Sequence, residues 1–259
     1  MATDYFAQLA LTRNPYLVKS LLKQNELAKS ADDWNLLIGQ NDKGVELNRG
    51  RIGSRDAGRV LLHHFSMMMK PAESNFSICS NFIPVNQSEI PKNLWNKNTV
   101  HLGSGHDHAY DFLQLALANG AKNFIILNFD AHADMRKDNL LHSGTPFRFF
   151  YEQNKTKIKN YTLHQYGLNP YSQNPADLEL SGANVKVLWQ QDMSFEKIKE
   201  TLNTLKTAQK EYTLLLVSLD ADVISGNSMS AVSAVNPRGV SPELIFQTLK
   251  YIKEEFKMY

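Results

Sequence analysis

An apolar run, Phe-Ile-Ile-Leu at 124–127, leads through Asn128 and Phe129 into Asp130, His132 and Asp134, three ionisable residues on alternate positions. No other feature of the chain limits its fold so strongly. Carboxylates at the end of a buried strand are costly unless something positively charged meets them. The run itself is apolar at consecutive positions, the pattern of a strand covered on both faces, as in parallel sheets. Residues 34–39, 122–130, 160–167, 184–189 and 212–220 read as strands of this kind, and 98–105 as a weaker one. Between them, 107–120, 194–210 and 241–257 carry helical spacing, the last opened by Ser241 as N-cap and Pro242 at the first helical position. This alternation predicts a three-layer α/β/α sandwich with a mainly parallel sheet. There is no internal repeat, low-complexity tract or linker, so one α/β domain over residues 1–259 is expected.

Three of the strands finish in ionisable residues. Gly-Ser-Gly at 103–105 delivers His106; the second strand delivers Asp130, His132 and Asp134; a third delivers Asp220 and Asp222. A period of two places Asp130, His132 and Asp134 on one side of an extended segment, and likewise Asp220 and Asp222. In an open α/β sheet such strand ends form the site. Four carboxylates and two imidazoles would then share a small volume, which calls for two divalent metal ions bridged by shared carboxylates. Oxygen donors with some imidazole and no thiolate favour Mn2+, with Zn2+, Fe2+ or Co2+ as alternatives. Asp130-x-His132-x-Asp134 alone would be read as a polar loop, and Asp220-x-Asp222 alone as an Asx-turn or helix cap. The remaining histidines read as structural: His63 and His64 in a helical stretch, His101 and His164 within strands, and His108 at a helix start beside Asp107, whose acid capping explains.

The net charge of +2 is too weak to suggest nucleic acid or a membrane surface as partner. One cysteine, Cys79, excludes an intrachain disulfide and suits a reducing compartment. Residues 1–20 lack the apolar core of a signal peptide, and no segment approaches a membrane span, so a soluble cytoplasmic protein is expected.

The motifs resemble those of the ureohydrolases: arginase, agmatinase and formimidoylglutamase. Gly-Ser-Gly-His-Asp at 103–107, Asp-Ala-His-Ala-Asp at 130–134 and Ser-Leu-Asp-Ala-Asp at 218–222 are similar to that family's three metal motifs, and 44–61 resembles its early glycine-rich segment. The resemblance implies an arginase-like fold and two Mn2+ ions. One would be held by His106, Asp130, Asp134 and Asp220, the other by Asp130, His132, Asp220 and Asp222. Ser104 stands where glycine is common. Loops at 134–148, 166–180 and 222–242 look closest to formimidoylglutamase, Ser225 and Gly226 replacing the Asp-Pro usual in arginase and agmatinase. The chain stops where the family adds a last strand and a closing helix. An open sheet edge is expected there, which self-association into a homo-oligomer would cover.

The resemblance implies hydrolysis of an amidine-like C–N bond by metal-activated water. His142 is the candidate proton shuttle, its imidazole suiting that task. With N-formimino-L-glutamate as the small-molecule substrate, giving L-glutamate and formamide in histidine degradation, two carboxylates need partners. Arg136 and Arg148 are the candidates, with Asn139, Ser143 and Thr145 as further substrate contacts. Two other readings stand beside this one. One is a ureohydrolase acting on a guanidino compound, which would need acidic residues outside the metal set. The other is a truncated, non-catalytic metal-binding or interaction protein.

Overall fold

The computed structural model describes residues 22–24, 34–68, 78–81, 98–206 and 213–256. Its elements, in chain order, are β1 (Leu22–Gln24), β2 (Trp34–Ile38), α1 (Lys43–Leu47), α2 (Ser54–Ser66), β3 (Ile78–Asn81), β4 (Asn98–Leu102), α3 (Ala109–Ala118), β5 (Asn123–Phe129), α4 (Pro146–Asn154), β6 (Asn160–Leu168), α5 (Pro175–Leu178), β7 (Asn184–Trp189), α6 (Phe195–Lys206), β8 (Thr213–Leu219) and α7 (Pro242–Glu255). The six expected strands are present within a few residues of their expected limits. β1, β3, α1, α4 and α5 were not anticipated. Residues 1–20 and the expected helical extension at 207–210 lie outside the described residues. Ser241 caps α7 as expected, its hydroxyl accepting Leu244 N at 3.2 Å.

The chain divides into two compact units, one drawn from Met1–Asp42 and Gly53–Ser104, the other from Lys43–Ile52 and Gly105–Met258. In the first, four parallel strands run in the order β1-β3-β2-β4. Helix α2 starts on Asp42, whose carboxylate accepts Gly53 N at 2.9 Å and Arg55 N at 2.6 Å. It lies against the sheet through Gly58, where an added Cβ would stand 2.5 Å from Leu102 O and 3.0 Å from Ile38 Cγ2. Ser104 closes this unit at φ 67, a left-handed conformation that explains why glycine would be at home there. Its hydroxyl offsets the strain by accepting Asn41 N at 3.0 Å.

The second unit holds four parallel strands in the order β7-β6-β5-β8. Alternation along β5 gives it two buried faces. Ile125, Leu127 and Phe129 pack with Ile198, Leu202 and Leu205 of α6 and Ile245 and Ile252 of α7. On the opposite face Phe124 meets Phe150 of α4 at 5.2 Å between ring centres, and Phe150 meets Tyr161. Helices thus cover both faces of this sheet, the layering that its continuous apolar strands require. Register decides what happens at the strand ends. β5 and β8 pair residue for residue from Asn123↔Thr213 to Phe129↔Leu219, so Asp130 and Asp220 emerge level with one another.

Candidate metal centre

Asp130 N donates to Tyr166 O at 3.0 Å and Asp220 N to Phe129 O at 2.9 Å, so the ladder carries both acids just past the end of the sheet. Beyond that point the backbone is not extended, which corrects the alternation argument. Asp130 Oδ1 accepts His132 N at 2.7 Å, and Asp220 Oδ1 accepts Asp222 N at 3.0 Å. Each is an Asx-type turn, and the second continues into a single 3-10 turn at Ala221–Val223. Asp134 adopts φ 50, again left-handed. These bends replace one shared face by two groups. His106 meets Asp130 and Asp134; His132 meets Asp130 and Asp222; in each group the donor atoms lie within 4.8 Å of one another. Asp130 belongs to both. All six expected residues are therefore brought together, Asp220 joining through His106 Nδ1 at 3.6 Å.

His106 Nδ1 lies 3.0 Å from Asp130 Oδ2 and 2.9 Å from Asp134 Oδ2. Its other nitrogen stands 2.5 Å from Ser218 Oγ, and Phe147 meets the ring edge-on at 5.6 Å. His132 Nδ1 lies 2.8 Å from Asp222 Oδ2. The electrostatics are those of acids in search of a cation. Burial opposes charge on the His106 imidazole, yet Asp130, Asp134 and Asp220 raise it well above 6.5. Hydrogen bonds to Asp130 and Asp222 push His132 up to about 11. Burial raises Asp134, and burial with the neighbouring Asp130 raises Asp222 to about 7. Two imidazoles can offset only part of the charge of four carboxylates. A divalent ion offsets more, displacing the imidazolium protons. The donor set of carboxylate oxygens and imidazole nitrogens, with no thiolate, fits Mn2+ or a similar ion.

A further layer, which the sequence did not reveal, holds the ligand loop from below. Asn128 Nδ2 donates to Gln165 Oε1 at 2.8 Å, and Gln165 Nε2 to Ala133 O at 2.7 Å. Gln173 accepts Ala133 N at 3.1 Å and donates to Ala131 O at 2.7 Å. Metal ligands are ordinarily held by such outer partners. Asp107 lies in the first turn of the short 3-10 segment His106–His108, where an acid is favoured as expected. Its carboxylate packs against Gly44 and Gly105.

The loop 136–148 places the other expected residues. Arg136 is exposed, and its Nη1 donates to Asn48 Oδ1 at 2.6 Å. Asn48 Nδ2 in turn donates to Ser143 Oγ at 2.8 Å, while Ser143 N donates to Gly44 O. Segment 43–52 therefore lies along this loop, and Arg51 ties it to the loop at 230–233 through Ser230 O and Val232 O. Asn48 and Arg51 were not picked out from the sequence, although both fall in its glycine-rich early motif. His142 is buried; its Nδ1 accepts Gly144 N at 3.1 Å and its Nε2 lies 3.4 Å from Asp138 Oδ2. Burial holds its pKa below 6.5 despite Asp138. It belongs to neither metal-competent group. Together with Arg136 and Arg148 it lines a hollow of about 1070 Å³ to which none of the six cluster residues contributes. Thr145 is buried, its hydroxyl engaged with His142 N, His142 O and Leu140 O. Asn139 is exposed. Arg148 is buried and bound to three backbone carbonyls and Glu152.

Comparison with known proteins bears on this geometry. A model of the arginase family matches residues 40–258. The formimidoylglutamase of Photorhabdus laumondii is 25% identical over 232 residues, covering 84% of this chain and 73% of that protein. That of Rhodococcus jostii is 27% identical over 227 residues, covering 81% and 71%. Among solved structures, formimidoylglutamase from Bacillus subtilis superposes with a TM-score of 0.75 at 17% identity, over 96% of this chain and 86% of that one. The Trypanosoma cruzi formiminoglutamase, solved with Mn2+2, gives 0.75 at 17% identity over 93% and 86%. At such identities the structural likeness speaks for the fold.

Proposed function

Because the chain belongs to the arginase family, we propose that it is a metal-dependent hydrolase of a C–N bond, acting on N-formimino-L-glutamate and water to give L-glutamate and formamide. The observation that carries this reading is the pair of His/Asp groups sharing Asp130 at the level ends of β5 and β8. His106, Asp130, Asp134 and Asp220 would hold one divalent ion, and Asp130, His132, Asp220 and Asp222 the other. Such a pair supplies Lewis acidity and activates water. The relatives named above favour Mn2+ and a formimino substrate. We extend the reading to the whole chain as one arginase-like domain, since the family match runs through residues of both units.

The chain's own residues supply the rest. The substrate carries two carboxylates, and Arg136, held by Asn48, offers an exposed guanidinium to one of them, with Ser143 beside it. His142 has its pKa lowered by burial and so is neutral near pH ~7. It would accept a proton from the attacking water and pass it to the glutamate nitrogen as the C–N bond breaks. The test is hydrolysis by the full chain loaded with Mn2+, with formamide and glutamate measured as products. Arginine and agmatine serve as competing substrates. Turnover of formiminoglutamate alone is the expected result. Release of urea from a guanidino compound would overturn the substrate, and metal uptake without turnover of any of the three would overturn the enzyme.

A further inference from the structure

Arg148 lies twelve residues beyond Arg136 in the same loop-and-helix segment, but its surroundings differ. Its side chain is buried and four of its donor directions are taken. Nε donates to Met135 O at 2.6 Å, Nη2 to Asp177 O at 3.0 Å and to Glu179 O at 2.6 Å, and Nη1 to Glu152 Oε1 at 3.0 Å. Met135 directly follows Asp134, whose φ of 50 is a left-handed conformation open to aspartate but uncommon for L-residues. The preceding residue is gripped as well: Ala133 N by Gln173 and Ala133 O by Gln165. Asp134 is therefore clamped on both flanks, and its carboxylate is the one nearest His106 Nδ1, at 2.9 Å.

Resting on the metal-binding reading above, we propose that Arg148 is a positioning residue for one of the two ions rather than a substrate contact. It holds Asp134 in its left-handed turn, with Gln173 as the clamp on the other side, and so builds the His106–Asp130–Asp134 group. The His132–Asp222 side is tied differently, by Ala131 N donating to Asp222 Oδ1 at 3.1 Å, and does not depend on Met135. A lysine can reach one carbonyl but cannot present the guanidinium's fork to three.

The test is titration of the full chain and of Arg148→Lys with Mn2+ alone, by calorimetry and by electron paramagnetic resonance. Wild type should take up two ions with the spectrum of a coupled pair. In Arg148→Lys one binding step should weaken about 10–100-fold, the usual effect of removing an outer partner, with the other unchanged and the spectrum turning to isolated manganese. The weakened step should be the one that Asp134→Asn weakens and Asp222→Asn does not. Should Arg148→Lys not fold, Glu152→Ala frees only Arg148 Nη1, at an exposed position, and should weaken the same step by a smaller factor. Equal weakening of both steps, or no change in either, overturns the proposal. A raised KM with both metal affinities intact would make Arg148 a substrate ligand and overturn it too. Failure of the wild type to bind Mn2+ would instead remove the functional reading on which the proposal rests.

Discussion

Substrate recognition by the Arg136–Asn48 pair can be put to a quantitative test. Arg136 is exposed and its side chain would sample many rotamers if nothing held it. Asn48 holds it: since a guanidinium can only donate, the Asn48 oxygen must face Arg136 and its amide nitrogen must face Ser143. Arg136→Ala removes a charge-assisted contact worth about 1.5–3 kcal/mol, so KM for formiminoglutamate should rise about 10–150-fold with kcat little changed. Asn48→Ala leaves the charge but frees the side chain. Ordering one long side chain costs about 0.5–1.5 kcal/mol, which corresponds to a KM increase of about 2–12-fold. The double variant should be no worse than Arg136→Ala alone, because Asn48 has nothing left to orient. Steady-state kinetics on the four proteins completes the cycle. Multiplicative effects would show that Asn48 acts independently of Arg136. An unchanged KM in Arg136→Ala would refute the recognition argument altogether.

Other outcomes follow from the same geometry. Asp130 is shared by both metal-competent groups, so Asp130→Asn should lower bound Mn2+, measured by elemental analysis, more than Asp107→Asn does. His164 is buried, and burial lowers its pKa to about 4, with Lys186 adding to the effect. The unfolded chain therefore takes up this proton first as pH falls from about 6.5 towards 4, and stability present above that window is lost within it. The cost is about 2 kcal/mol by pH ~5; urea unfolding of wild type and His164→Leu should show a shallower acid dependence in the variant, and parallel curves would contradict this. Gly58→Ala would press a Cβ against Leu102 O, 2.5 Å away, and should destabilise by about 1–3 kcal/mol in chemical denaturation. Equal stability would mean that α2 shifts at no cost.

The six cluster residues were legible because charge at the end of an apolar strand is expensive, and the sequence repeats that expense three times. The details of their arrangement were not. The alternation at 130–134 suggested an extended segment, whereas the side chains of Asp130 and Asp220 hydrogen-bond their own backbones and bend it. Helix α4 did carry a signal that was passed over: Pro146 follows Thr145, and Phe147, Phe150, Tyr151 and Asn154 are buried at helical spacing. Arg136 and Arg148 were both candidates for substrate carboxylates, Arg136 first for its place beside the second motif. What separates them is the position of the carbonyls of Met135, Asp177 and Glu179, which belong to three places in the sequence and carry no residue signature.

The least legible part is the buried amide layer, and its chemistry explains why. Asn128 and Gln165 are fully buried, and Gln173 is partly so. A carboxylate in place of any of them would add negative charge beneath a site where Asp134 and Asp222 already have raised pKa values. A cationic side chain would neutralise the acids from inside and compete with the incoming ion. Neutral amides avoid both outcomes: Gln173 offers the loop backbone a donor and an acceptor, and Gln165, braced by Asn128, offers it a donor. Gln165 takes Asn128 Nδ2 and gives to Ala133 O; Gln173 takes Ala133 N and gives to Ala131 O. The residues best suited to hold a highly charged loop are therefore those without charge, and a search of the sequence for ionisable patterns passes over them.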